Sequence, residues 1–164
     1  MHRETKQYGK HFEESSFVGA PAQIVYDYID DHSRFYSHVI KFSRILGGRM
    51  NLRLDDSGGR SVGSRIRLSG KFLGKSLSLE EVITRREPPR VKAWETVGVP
   101  KFLVVGQYQM SIRIEPSGNG SILRVAIDYD PPANSGWLRL LFSRFYMKLC
   151  AKEMVKATRG HFKS

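Results

Sequence analysis

Hydrophobic and polar positions change period along this chain, and the changes divide it into elements. From Phe12 to Val18 the residues read as a first strand. Pro21 follows, and its missing N–H and fixed φ suit a first helical turn. Behind it, Ile24, Val25, Tyr28 and Ile29 recur as one face of a short amphipathic helix. Asp30–Asp31–His32–Ser33 interrupts that face. Carboxylates are badly placed at a helix C-terminus and well placed at an N-terminus, so a second short helix is predicted from near Ser33, carrying Phe35, Tyr36 and Val39. Lys41–Arg49, with Gly47–Gly48, reads as a connection.

The period then becomes two. Met50, Leu52 and Leu54 alternate with Asn51 and Arg53, and Ile66 and Leu68 with Arg65 and Arg67. Leu77, Leu79 and Ile83 alternate with Ser76, Ser78 and Glu80 until Pro88–Pro89 stops the run. Val91–Val97 is a short strand containing Trp94. Tyr108, Met110, Ile112 and Ile114 form another strand, and Leu123, Val125, Ile127 and Tyr129 the last. Turn chemistry at Asp55–Gly59, Gly70–Gly74 and Pro116–Gly120 separates the runs, with Asn119–Gly120 the strongest hairpin element. The result is an antiparallel meander of about seven strands whose buried face needs a cover. Gly136–Phe162, with Ser135 as its expected N-cap, supplies a helix reaching ~40 Å. Its apolar Trp137, Leu138, Leu141, Phe142, Phe145, Leu149 and Val155 are expected to face inward. Arg144, Lys148, Lys152, Lys156 and Arg159 fall on another stripe.

This element order resembles the helix-grip fold of the START/polyketide-cyclase (SRPBCC) superfamily, also called Bet v 1-like. The likeness spans Phe12 to Phe162 and rests on GAPAQIVYDYIDD after the first strand, EVITRREPPRVKAWE around the double proline, and the terminal helix. It implies an α+β fold: a curved antiparallel sheet wrapped around a long C-terminal helix, with two short helices after the first strand. It also implies a hydrophobic or amphipathic ligand, lipid-, isoprenoid- or polyketide-like, held between sheet and helix. Some members of the superfamily act as enzymes and others carry. The Cys and His iron ligands of Rieske-linked relatives have no counterpart here, and no cofactor is expected.

At 164 residues the chain is expected to form a single domain over 1–164, with 1–10 a loose polar segment. No apolar run approaches the ~20 residues of a membrane span. The first residues lack the apolar core of a signal peptide, so the cytoplasm is the expected location. One cysteine excludes an internal disulfide. The net charge of +11 attracts anionic partners without naming them. The helical basic stripe reads first as a solvated face, and peripheral docking on an anionic membrane is its functional alternative. Nucleic acid is disfavoured, because no recognised motif or interleaved exposed aromatics accompany the stripe. Oligomeric state stays open, a homodimer included.

Candidate chemistry is sparse. SGKFLGKS at 69–76 lacks one residue of a phosphate-binding loop and is better read as a hairpin turn. The histidines show no metal-binding spacing and are expected at the surface; no metal is expected. Cys150 reads as a small buried hydrophobe, and Asn119–Gly120–Ser121 as a turn. Glu81 extends the inward Leu77–Leu79–Ile83 row, where an isolated charge is expensive. A β-bulge at Glu80–Glu81 that turns it to solvent is the favoured expectation; a raised-pKa acid or a polar ligand anchor is the alternative. Trp94 and Tyr108 are either plain core or cavity lining. The resemblance makes Phe35, Tyr36, Val39, Ile66, Leu68, Leu79, Trp94, Tyr108, Met110, Phe142, Phe145 and Leu149 the expected ligand-binding residues. A carrier is favoured. The rivals are a cyclase/dehydrase using Glu81 or Tyr108 for proton transfer, and a basic membrane-associated module with a filled core and no ligand.

Overall fold

The alternating runs pair into one sheet, as a half-buried face requires. A computed structural model describes residues 6–45, 47–72, 74–101, 105–133 and 136–163. Its strands are β1 (Lys10–Val18), β2 (Arg49–Leu54), β3 (Arg65–Phe72), β4 (Lys75–Glu87), β5 (Val91–Lys101), β6 (Tyr108–Ser117) and β7 (Gly120–Tyr129). They form a seven-stranded sheet ordered β1-β7-β6-β5-β4-β3-β2, antiparallel throughout. Register shifts between β4 and β5 at Ser78/Glu80 and Ile83/Arg85 interrupt the ladder, the kind of irregularity that bends a strand and raises its twist. The predicted turn at Gly70–Gly74 is a hairpin, with Phe72 opposite Lys75.

Between β1 and β2 lie α1 (Ala22–Asp30) and α2 (His32–Ile45). Pro21 precedes α1 in an extended conformation and does not enter its first turn. The buried face of α1 includes Val25, Tyr26, Tyr28 and Ile29, while Ile24 is exposed. Asp31 accepts hydrogen bonds from the Ser33 hydroxyl (2.6 Å) and the Arg34 N–H (3.3 Å), so the carboxylate break does start the second helix. That helix runs into the segment expected as a connection.

The last hairpin turns at Gly118–Asn119, one residue earlier than Asn119–Gly120, since Ser117 pairs with Gly120. Gly120 is reserved for contact: a Cβ there would lie 2.3 Å from the Val18 carbonyl oxygen. The cover is α3 (Trp137–His161), packed on β1, β7 and α2. Ser135, its expected cap, lies outside the described residues. The buried residues of α3 are Ser143, Met147, Ala151, Met154, Val155 and Thr158. Trp137, Leu138, Leu141, Phe142 and Phe145 are exposed, which overturns their inward placement. Small side chains at Ser143, Ala151 and Thr158 let the helix approach the sheet, and the bulky apolar residues of its first half point away.

Candidate functional site

Inward positions of neighbouring strands converge under α2. The β3–β4 pairing is unbroken through Leu68–Leu79 and Ile66–Glu81, so the irregularities facing β5 leave Glu81 in the inward row with Leu79 and Ile83. The expected bulge to solvent is therefore corrected: Glu81 is 0 % exposed. Tyr36 of α2 donates its phenolic hydrogen to this carboxyl group (2.7 and 2.9 Å to the two oxygens), and the Tyr108 hydroxyl makes a short bond to Oε1. The Trp94 indole N–H donates to Tyr36 Oη at 3.1 Å. Thr96 fixes the start of β6, its Oγ1 accepting from the Tyr108 N–H at 3.1 Å.

His32 and Phe35 close the cluster. The His32 ring stacks on Tyr36 with centroids 5.1 Å apart and meets Trp94 edge-on at 5.0 Å. Phe35 is edge-on to Trp94 at 6.0 Å. His32, expected at the surface, is instead fully buried, with neither ring nitrogen hydrogen-bonded. Burial, helped by the Lys92 charge, pushes its pKa down to about 3, so the ring is neutral. Burial pushes Glu81 the other way, up to about 7, against the hydrogen bonds from Tyr108 and Tyr36 that favour the carboxylate. Both tyrosines are held well above their ordinary range by burial and then by the Glu81 charge. From α3, Tyr146 hydrogen-bonds to Cys150. Burial raises the Cys150 thiol to about 12, which leaves it protonated and a poor nucleophile.

A second buried cluster locks the end of α1 to the sheet. Lys92 Nζ donates to Asp30 Oδ1 (2.9 Å) and to the Asp30 carbonyl (3.1 Å), and Arg86 Nη2 lies 2.8 Å from Asp30 Oδ2. Burial would raise the Asp30 pKa, but the bonds from Arg86 and Lys92 prevail and lower it. The sequence offers a signal for this pair, because Lys92 shares strand parity with inward Trp94.

Of the expected lining residues, Phe35, Tyr36, Ile66, Leu68, Leu79, Trp94, Tyr108 and Met110 are buried in the common core, and Leu149 is half-buried. Phe142 and Phe145 stand outside it. Val39 lies on α2, but its side chain is outside the described part. An open depression of about 480 Å³ at the α2–β2 edge, lined by Arg44 and Gly47–Asn51, includes none of the cluster residues. Among the described residues, no group of three or more His, Cys, Asp or Glu is placed to hold a metal ion. No described helix is long and apolar enough to cross a membrane.

The seven-stranded curved sheet, paired short helices and long terminal helix are those of the SRPBCC, or Bet v 1-like, helix-grip proteins. The chain belongs to the family described as polyketide cyclase / dehydrase and lipid transport, whose model matches residues 10–161. Solved structures similar to it include the protein TTHA0849 of Thermus thermophilus (15% identity, TM-score 0.69, covering 93% of this chain and 97% of that one). The Zhui aromatase/cyclase of a Streptomyces species aligns with 16% identity and a TM-score of 0.65, over 93% of this chain and 92% of that one. The Bet v 1-like Ara h 8.0201 aligns with 13% identity and a TM-score of 0.65, over 93% and 97%. At such identities the likeness concerns the fold. No curated protein matches the sequence. Family and fold together support a ligand-binding or polyketide-cyclase-type protein.

Proposed function

We propose that the protein binds a small hydrophobic or amphipathic molecule, lipid-, isoprenoid- or polyketide-like, between the sheet and α3. The polar end of the ligand would meet Tyr36, Glu81 and Tyr108. One observation carries this reading: a carboxyl group wholly inside an aromatic and aliphatic interior, bonded to phenols and without a cationic partner among the described residues. As packing alone such a group is costly, and an aliphatic side chain would avoid the cost. As the polar anchor of a largely apolar site it fits the usual pattern of few, placed polar groups. Phe35, Ile66, Leu68, Leu79 and Met110 would supply apolar burial at ~25 cal/mol per Å². Membranes are the natural reservoir of such a ligand.

The pKa of Glu81 near 7 favours a second reading, a cyclase/dehydrase-type enzyme. The group would give a proton below that pH and take one above it, with Tyr108 the other candidate for proton transfer. Native mass spectrometry with solvent extraction, joined to displacement of a fluorescent fatty acid, tests the binding claim. The expected result is one small apolar molecule per chain and weaker displacement by Tyr108→Phe and Glu81→Gln. Absence of both a co-purifying molecule and probe binding contradicts it, and vesicle contact alone would then leave the ligand-free module. Chemical conversion of a bound polyketide-like compound, lost in Glu81→Gln while binding persists, would select the enzyme.

A further inference from the structure

The bulky apolar residues and the basic residues of α3, which read as separate stripes along the sequence, share one face. At about 100° per residue, Leu138, Leu141, Phe145, Lys152, Lys156 and Arg159 fall on the side roughly opposite Ser143, Met147, Ala151 and Thr158, while Lys148, at the edge of this row, turns its ammonium over the Phe12 ring of β1 at 5.6 Å. The first half of this outer stripe is apolar and uncovered. On it Leu138, Leu141 and Phe145 are 50, 59 and 64 % exposed, and Trp137 and Phe142 flank it at 75 and 54 %. So many large apolar side chains within three turns exceed the scattered exposure normal for a protein surface. The second half is basic. Lys152, Lys156 and Arg159 are exposed there, as Arg139 and Arg144 are beside the apolar end. None of these five forms an ion pair among the described residues. The only acid on the helix is Glu153.

We propose that the outer face of α3 docks on an anionic lipid membrane, the apolar first half entering the interface and the basic second half lying against headgroup phosphates. Charge chooses this occupant over a second copy of the chain. Apposing two such faces would set Arg144, Lys152, Lys156 and Arg159 against their own counterparts, on molecules carrying +11 each. An anionic bilayer offers apolar depth and opposite charge together, the combination that holds interfacial helices. Docking rests on the ligand-binding reading only for its purpose, delivery or uptake of an apolar molecule.

The full chain carries its own reporter. Trp94 is wholly buried, whereas Trp137 is 75 % exposed at the end that would insert. Phosphatidylcholine vesicles with and without phosphatidylserine should be titrated while tryptophan emission and co-sedimentation are followed. Expected is a blue shift of Trp137 with the anionic vesicles alone, weakening steeply as salt shortens the screening length from ~10 Å at 0.1 M to ~3 Å at 1 M. Leu141→Glu/Phe145→Glu should abolish the shift. Lys152→Ala/Lys156→Ala should cost about thirtyfold in affinity, two basic residues' worth of surface attraction. All four positions are at the surface, and unchanged fatty-acid displacement in each variant shows an intact fold. Equal binding to neutral and anionic vesicles overturns the proposal, as does no shift with either. Self-association without vesicles, lost in Leu141→Glu/Phe145→Glu, assigns the face to a second copy instead. Failed docking with intact probe binding removes this inference alone; failed probe binding with intact docking removes the ligand reading.

Discussion

Asp30→Asn should destabilise the fold by ~3–5 kcal/mol, the cost of leaving a buried charge without its partner. Lys92 is 0 % exposed, and its ammonium has Asp30 as its carboxylate partner at 2.9 Å. Arg86 can turn to water, since its side chain is 30 % exposed, but Lys92 cannot. Urea unfolding at pH 7 measures the loss. Lys92→Met should cost less, because Arg86 still bonds the remaining carboxylate. The double variant should cost less than the sum of the two, as groups acting as a unit do. Additive losses would mean that the pair is not coupled. The sign of the pH effect follows from the lowered Asp30 pKa. Stability from this group is present above its unfolded value of 3.8 and is lost as pH falls through the lower folded value.

The pH dependence of Glu81→Gln should be equally marked. An acid raised from 4.5 to about 7 keeps its proton in the folded state where the unfolded chain has lost it. Folding then binds a proton, so this contribution is full below pH 4.5 and is lost as pH rises to about 7, a fall of ~3 kcal/mol. His32 runs opposite. Lowered from 6.5 to about 3, it is neutral in the fold while the unfolded chain is protonated, so its contribution rises with pH between those values. Over about pH 4.5 to 6.5 the two slopes oppose each other and the parent protein should show a muted profile. Glu81→Gln removes one slope, and its stability should rise with pH across that interval. Unfolding free energies measured at closely spaced pH values compare the two; parallel curves would show that Glu81 titrates as an ordinary surface acid.

Most of the architecture is legible in the sequence because one-sided sheets and amphipathic helices leave periodic marks. The strand row Leu77–Leu79–Glu81–Ile83 even places Glu81 inward. The favoured expectation still sends it to solvent, since sequence alone does not show that Tyr36 and Tyr108, from α2 and β6, are there to receive it. The burial of His32 is less legible, because it depends on Trp94, distant in the chain, whereas Lys92 leaves a mark in sharing strand parity with Trp94. On α3 the difference between pattern and structure has another cause. Its first half is apolar on nearly every side, so size suggests the buried stripe, whereas close approach to β1 and β7 demands small residues at Ser143, Ala151 and Thr158.

Glu81 is proposed as the acid that both titrates near neutral pH and faces the ligand. Carbon-13 NMR of glutamate-labelled protein, with Glu81→Gln to assign the signal, follows that carboxyl group directly across pH with and without a bound fatty acid. The expected result is a free midpoint near 7 that moves when the fatty acid binds. A midpoint in the ordinary carboxylate range, or one near 7 that stays fixed while the fatty acid binds, would contradict it.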